Sequence, residues 1–306
     1  MSVSWRHQKS DRHFRGSHEE KNRAAEESEV INDLNLAEIG IRYNFSPRTS
    51  LTVGIPYLMA ERSSPIRDAD RVVVDRSITH ANGLGDITVT GRRMLWDPAT
   101  EPRGNVVVGL GLKLPTGSPS VHDSRTRLID GEYVTTVESV DQSIQPGDGG
   151  LGFIVDLQGY RQLGAFSAWY ASGTYLINPE GTSGVPTYRG RESEALMSIS
   201  DQYLARVGVT TSPPSWRGWG ASLGGRLEGV PAHDLIGTSA YFRRPGYSIA
   251  VEPAVSWARG PHTVSLAVPI AVERNRVRSV PDIRDGSHGD AAFADYVLLL
   301  GYWRRF

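Results

Sequence analysis

The sequence predicts an all-β chain, a transmembrane antiparallel β-barrel of about twelve strands forming one domain over residues 1–306. Three observations carry this. The final segment is an amphipathic strand, the same alternation recurs along the whole chain, and the connections between the alternating segments are long and short by turns. Residues 291–306, AAFADYVLLLGYWRRF, put Ala292, Ala294, Tyr296, Leu298, Leu300, Tyr302 and Phe306 on one parity and Asp295, Gly301 and Arg305 on the other. Side chains alternate across a strand, so this is an apolar face with aromatics near its ends, as on a lipid-facing strand.

The parity can be followed from the start. The first strand covers roughly 1–11. In 33–45, Ile39, Ile41 and Tyr43 point outward and Glu38, Arg42 and Asn44 inward. In 49–60, Leu51, Val53, Ile55, Tyr57 and Met59 point outward. In 84–96, Ile87, Val89 and Leu95 oppose Asp86, Thr88, Thr90 and Arg92. In 104–115, Val106, Val108, Leu110, Leu112 and Leu114 oppose Gly109, Gly111 and Lys113. In 150–162, Leu151, Phe153, Val155 and Leu157 oppose Asp156, Gln158 and Tyr160. The seventh segment, about 165–178, has no clear parity, because Phe166 and Tyr170 oppose Trp169 and Tyr175. In 194–210, Tyr203, Val207 and Val209 oppose Gln202 and Arg206. In 217–229, Trp219, Leu223 and Leu227 oppose Ser222, Gly224, Arg226 and Glu228. In about 239–258, Tyr247, Ile249, Val251, Val255 and Trp257 oppose Ser248, Glu252 and Ser256. In 262–275, Val264, Leu266, Val268, Ile270 and Val272 oppose Ser265 and Glu273.

The connections sort themselves. Residues 12–32, 61–83, 116–149, 179–193 and 276–289 are long, with 230–238 moderate. Between them fall Ser46-Pro47-Arg48, residues 97–103, Leu163-Gly164, Ser212-Pro213-Pro214-Ser215 and Arg259-Gly260-Pro261. Long extracellular loops alternating with short periplasmic turns are a property of outer-membrane barrels, and an even strand count places both termini on the periplasmic side. In hydrocarbon every backbone N–H and C=O must find a partner within the protein, so a β-structure there must close.

Composition narrows the function. Hydrophobic residues make up 39%, natural for a barrel with a polar inner face, and no run of about 18 apolar residues suggests a transmembrane helix. The net charge of −1 argues against a nucleic-acid partner. With no cysteine, thiolate metal sites, disulfides and Cys nucleophiles are excluded. An exported chain begins with an apolar leader, and residues 1–14 show none. Val3 and Trp5 already alternate with Ser2, Ser4 and Arg6, so the expectation is a removed leader or an internal start. A cytoplasmic protein is the rival reading.

Three segments carry a family likeness: Gly83-Leu84-Gly85-Asp86 running into ITVTGRRMLW, Gly109 to Gly117 (GLGLKLPTG), and Gln145 to Gly164 (QPGDGGLGFIVDLQGYRQLG). From about residue 30 to 306 the chain resembles the outer-membrane barrel family called meta-pathway phenol degradation-like, whose members are often labelled transporters. The resemblance implies an outer-membrane barrel that passes aromatic or other apolar small molecules. The C-terminus is similar to the signature read by the barrel-assembly machinery, a terminal Phe306 preceded by alternating apolar residues. It departs at Arg304, where an apolar or aromatic residue is usual.

Few residues suggest covalent chemistry. Gly220-Ala221-Ser222-Leu223-Gly224 fits the G-x-S-x-G pattern, but that motif needs a strand–turn–helix elbow and here falls inside a strand. Gly83/Gly85 and Gly109/Gly111 lack the Gly-Lys-Ser/Thr of a phosphate loop and read as curvature glycines. Asp123, Asp130, Glu132, Asp141 and Asp148 match no calcium-loop spacing. The sequence therefore points to no cofactor, no metal and no enzyme. The candidate pore-lining and selectivity residues are the inward charges Glu38, Arg42, Asp86, Arg92, Lys113, Asp156, Arg206, Arg226, Glu252, Glu273 and Asp295. They either pair and plug the lumen or line a narrow aqueous path, which residues 116–149 are long enough to constrict. The expected function is passage of a small-molecule solute across an outer membrane whose lipids surround the barrel. A plugged barrel presenting its loops to a partner is the alternative, and an outer-membrane hydrolase the third reading.

Overall fold

The computed structural model describes residues 1–306, and twelve antiparallel strands follow one another around a closed ring. They are β1 (Ser2–Arg15), β2 (Ile31–Asn44), β3 (Thr49–Arg67), β4 in two pieces (Val73–Leu84 and Thr88–Met94), β5 (Gly104–Lys113) and β6 (Gly152–Gln162). The rest are β7 (Ser167–Ile177), β8 (Gln202–Thr211), β9 (Trp219–Val230), β10 (Gly246–Arg259), β11 in two pieces (His262–Ala267 and Ile270–Asn275) and β12 (Ala291–Arg304). Each pairs with its neighbours in sequence, and β12 closes on β1 from Ser2↔Trp303 to Phe14↔Ala291. Closure satisfies both edges that an open sheet would leave unpaired.

The outer wall follows the alternation. Leu110 is 67% exposed and Leu157 53%, while their strand neighbours Gly109 and Asp156 are buried. At the long-loop rim Tyr175 stacks on Tyr203 at 6.4 Å between centroids, with Tyr247 two strands further on. At the short-turn rim Trp219 stands opposite Trp257, and Tyr43 meets Phe45 edge-on. Two aromatic girdles thus flank an apolar band, the arrangement that seats a barrel at both membrane interfaces. In β7 the parity is resolved. The Thr174 hydroxyl donates to Asp156, so Tyr170, Ser172 and Thr174 face the lumen, and Trp169 and Tyr175 face outward.

Several boundaries differ from the sequence reading. Residues 61–67 and 73–83, expected as loop, instead extend β3 and β4, and the paired stretches Tyr57–Arg67 and Val73–Leu84 form a hairpin that rises beyond the ring. Their own alternation, with Ser77, Thr79 and Ala81 buried, supports the strand. Between the two pieces of β4, Asp86 leaves the strand to accept from the Gly117 and Asp148 N–H groups. Residues 116–149 contain a second hairpin, His122–Ile129 with Glu132–Ser139, turning on Asp130-Gly131. Both turn residues have positive φ (52° and 84°), the type I′ geometry that Asp-Gly favours. The eighth strand begins at Gln202 rather than 194, and Leu196–Ser198 pairs instead with Thr182–Pro186 above the ring.

Candidate functional site: the charged lumen and its cap

The inward charges assemble into clusters because the register sets them side by side. Arg92 on β4 and Asp156 on β6 flank Gly109 on the intervening β5. A Cβ at Gly109 would sit 3.0 Å from the Asp156 Cβ and 3.1 Å from the Arg92 Cγ, so the glycine clears the space across which they meet. Arg92 Nε donates to Asp156 Oδ1 at 3.0 Å and Nη1 to the Thr52 hydroxyl at 3.3 Å. Asp156 also accepts from Gln158 Nε2 at 2.9 Å and from the Thr174 hydroxyl at 3.0 Å, so both carboxylate oxygens are engaged.

A second cluster lies further round the wall, on β8 to β10. Arg206 on β8 stands directly opposite Arg226 on β9. Like charges in that position repel, and the buried Glu252 of β10 resolves the conflict by accepting from both. Arg226 also grips Glu228 with Nη2 at 2.7 Å, and Arg6 of β1 reaches over from four strands away to donate to both Glu228 oxygens at 3.3 and 3.0 Å. Tyr170 lies against the Arg206 guanidinium, with its hydroxyl over the Gly208–Gly224 pair. A cavity of about 90 Å³ remains beside Gln8, Ser10, Arg226 and Glu228. Lys113 is buried against Asp148 and lies 3.7 Å from Asp86.

Two of the inward charges have no counter-ion. Glu38 lies along Gly54 towards Thr88 and enters no ion pair, and the exposed Arg42 donates only to Asn44 at 3.1 Å. Asp295 sits at a register shift in the β1–β12 pairing, half exposed, tied to Arg12 at 2.6 Å and Arg274 at 2.5 Å where β1, β11 and β12 meet. Glu273 requires a correction. It was expected to face inward, but a bulge between Ile249 and Ala250 places two residues, Val272 and Glu273, where the regular register has one. Glu273 therefore shares the outer face with Ile249 and Tyr247, whose hydroxyl donates to it at 2.8 Å. A bulge shifts the period of two by one, so every assignment beyond it inverts. Arg6 was visible on the inward parity, yet its partner across the bore was not.

The long-loop mouth is covered by a cap built from four connections. Val140 and Ile144 pack on Leu58, Ala60 and Ala81 of the inner wall. Between them Asp141 accepts from both terminal nitrogens of Arg244 at 2.8 and 2.7 Å and from the Tyr188 hydroxyl at 2.6 Å, with Arg62 at 3.5 Å. Burial pushes this carboxyl up, but the Arg244 and Arg62 guanidiniums overcome it and hold it well below the usual carboxylate range. The loops around it are tied as well. Arg243 forks onto Asp234, and Asp201 collects the Asn178 and Leu235 N–H groups. Asp282 caps a short helix at Val280–Arg284 and pairs with Arg276, and Asp290 takes His13 and Arg23. No parity signal marks these loop residues. The acidic residues weighed as cation ligands are dispersed, with Asp123 on His80, Asp130 in the hairpin turn and Asp148 on Lys113. Ser222 stands in mid-strand between Thr210 and Ala254.

The architecture defines a class: this chain has the fold of a bacterial outer-membrane β-barrel. No protein-family profile matches the sequence, and no curated protein matches it. Solved structures do. An outer membrane channel from Pseudomonas putida F1 superposes with a TM-score of 0.62 at 13% identity, covering 100% of this chain and 94% of that one. The toluene transporter TodX of Pseudomonas putida aligns with a TM-score of 0.48 at 8% identity, over 100% and 89% of the two chains. The β domain of the Bordetella autotransporter BrkA gives 0.45 at 13% identity, over 100% and 99%.

Proposed function

We propose that this barrel is an outer-membrane channel for passive or facilitated passage of a small molecule. Its long loops would face the exterior and both termini the periplasm. The observation that carries the reading is Arg42, an exposed inward guanidinium that donates only to Asn44. A guanidinium stays charged and without a counter-ion needs water, which supports an aqueous lumen over a filled one. The clusters Arg92–Asp156 and Arg206–Arg226–Glu252 brace the wall and, with Lys113 and Asp86, set its selectivity. Tyr170 lies on the inner wall beside the second cluster, its hydroxyl over Gly208 and Gly224. The phenol-degradation-like resemblance supports apolar or aromatic solutes as the class carried. Phe306, at the end of β12, would be the element presented to the assembly machinery.

A second reading has its own support: the cap at Asp141 favours a closed barrel that presents its loops to a partner. Single-channel recording in planar bilayers separates the two. The channel reading expects discrete openings and solute flux into liposomes, with a larger unitary conductance for Tyr170→Ala. Absence of both current and flux in correctly folded wild-type protein and in Tyr170→Ala would overturn it.

A further inference from the structure

We propose that the arginine pocket around Asp141 is a receptor for the carboxylate of a small organic acid, and that Asp141 is a built-in occupant which such a solute displaces to open the mouth. The receptor half stands alone; the opening half rests on the channel reading. The pocket draws its groups from separate elements: Arg62 from β3, Tyr188 from the 178–201 connection and Arg244 from the 231–245 connection. All converge on one carboxylate borne by the longest connection in the chain. The two parallel bonds from Arg244 and the third from the Tyr188 hydroxyl form a planar fork, complementary to a carboxylate.

The pocket also carries surplus positive charge. Arg62 and Arg244 share the single carboxylate of Asp141. Arg189 lies beside them at 3.9 Å over the Phe242 ring, its Nε buried with no hydrogen-bond partner, and Arg244 is 4.9 Å from that ring's centroid. Arg125 covers Tyr188 at 3.8 Å. Glu194 at 3.4 Å and Glu138 at 3.1 Å neutralise Arg189 and Arg125, so the surplus is the one charge by which Arg62 and Arg244 exceed Asp141. An open cleft of about 410 Å³, bordered by Tyr188, Arg189, Arg191 and the carboxylates Glu194 and Asp282, adjoins the pocket at Tyr188. A narrow void bounded by Arg62, Arg125, Asp141 and Tyr188 lies on its other flank. Asp141 is ionised at any ordinary pH, so a solute must compete with a tethered anion, and apparent affinity falls by the fraction of time Asp141 is away.

The test titrates acetate, then benzoate, into the full-length barrel folded in detergent micelles, by calorimetry at constant ionic strength with chloride as the control anion. Removing the tethered competitor in Asp141→Ala should tighten acetate binding by about tenfold or more, and adding Arg244→Gln should abolish the gain. Asp141→Asn, which keeps a side-chain acceptor for the Ser143 N–H, serves as the second variant if alanine prevents folding. A folded Asp141 variant that binds acetate no better than wild type overturns the receptor. In bilayers, acetate should raise wild-type open probability, and Asp141→Ala should be open without it. Tight acetate binding with no current in any variant would sink the channel reading and leave the receptor supported. Current that ignores both acetate and Asp141 would overturn the gating half.

Discussion

Glu252→Gln tests whether the lumen cluster is a desolvated brace or a hydrated fringe. The substitution keeps the shape of the side chain and removes its charge. Glu252 is 1% exposed and is the one carboxylate shared by Arg206 and Arg226, which the register sets directly opposite each other. Breaking a buried ion pair costs about 3–5 kcal/mol because the surviving charge is stranded. Two features reduce that here. The Arg206 side chain is 35% exposed and recovers water, and Arg226 retains Glu228 at 2.7 Å. The expected loss is therefore about 2–3 kcal/mol, or roughly 30- to 160-fold in the folding constant. Urea unfolding of the barrel in lipid vesicles, followed by tryptophan emission, reads it directly. In an Arg226→Gln background the same substitution should cost less, with a coupling of about 1–3 kcal/mol. A loss below about 0.5 kcal/mol with no coupling would show that water already screens the cluster, and the brace argument would fall.

Two further outcomes follow from the outer wall and the cap. Leu110→Arg, at an outward position in the lower-numbered flank of Lys113, should weaken folding into bilayers by about 2–4 kcal/mol, since it drives a guanidinium into hydrocarbon; equal stability of variant and wild type would mean that β5 does not face lipid. The second concerns acid. Burial opposes ionisation of Asp282 and Asp290, but the Ser279 N–H and Arg276 in the first case, and His13 and Arg23 in the second, pull each carboxyl from 3.8 down to about 2. A depressed folded-state pKa contributes stability that is present above the unfolded value and lost as pH falls through the folded one, at most about 2 kcal/mol per group and less for the partly exposed Asp290. Pepsin cleavage within 276–290 should accordingly rise between pH 4 and pH 2, and Asp290→Asn should flatten that rise; cleavage independent of pH would exclude these carboxylates as the clasp.

The outer rows were readable because a lipid-facing wall imposes a strict period of two on every strand. Ile39 and Ile41 on β2, Leu110 on β5 and Leu157 on β6 all emerge exposed as the parity requires. Glu273 shows where that reasoning stops. One inserted residue at the Val272–Glu273 bulge inverts the face, and nothing in the alternation of 262–275 announces it. The extension of β4 was missed for a different reason. Residues 73–84 alternate, but they pack against a loop hairpin rather than lipid, so their pattern lacks the apolar outer row used to recognise strands. Asp130-Gly131, by contrast, is a turn signal present in the sequence, since Asp-Gly favours the positive-φ geometry observed there.

The sequence by itself determined most of the wall: twelve strands, the faces of those without a bulge or mixed parity, and the alternation of long and short connections. Those properties are local, because the two-residue period and the turn chemistry act within a dozen residues. Only the tertiary structure decided which charges meet. Arg6 finds Glu228 across the bore, Gly109 opens the way between Arg92 and Asp156, and Asp141 is captured by Arg62, Tyr188 and Arg244 from three other segments. Pairing across a closed ring depends on the curvature and register of all twelve strands at once, and no interval along the chain encodes that distance.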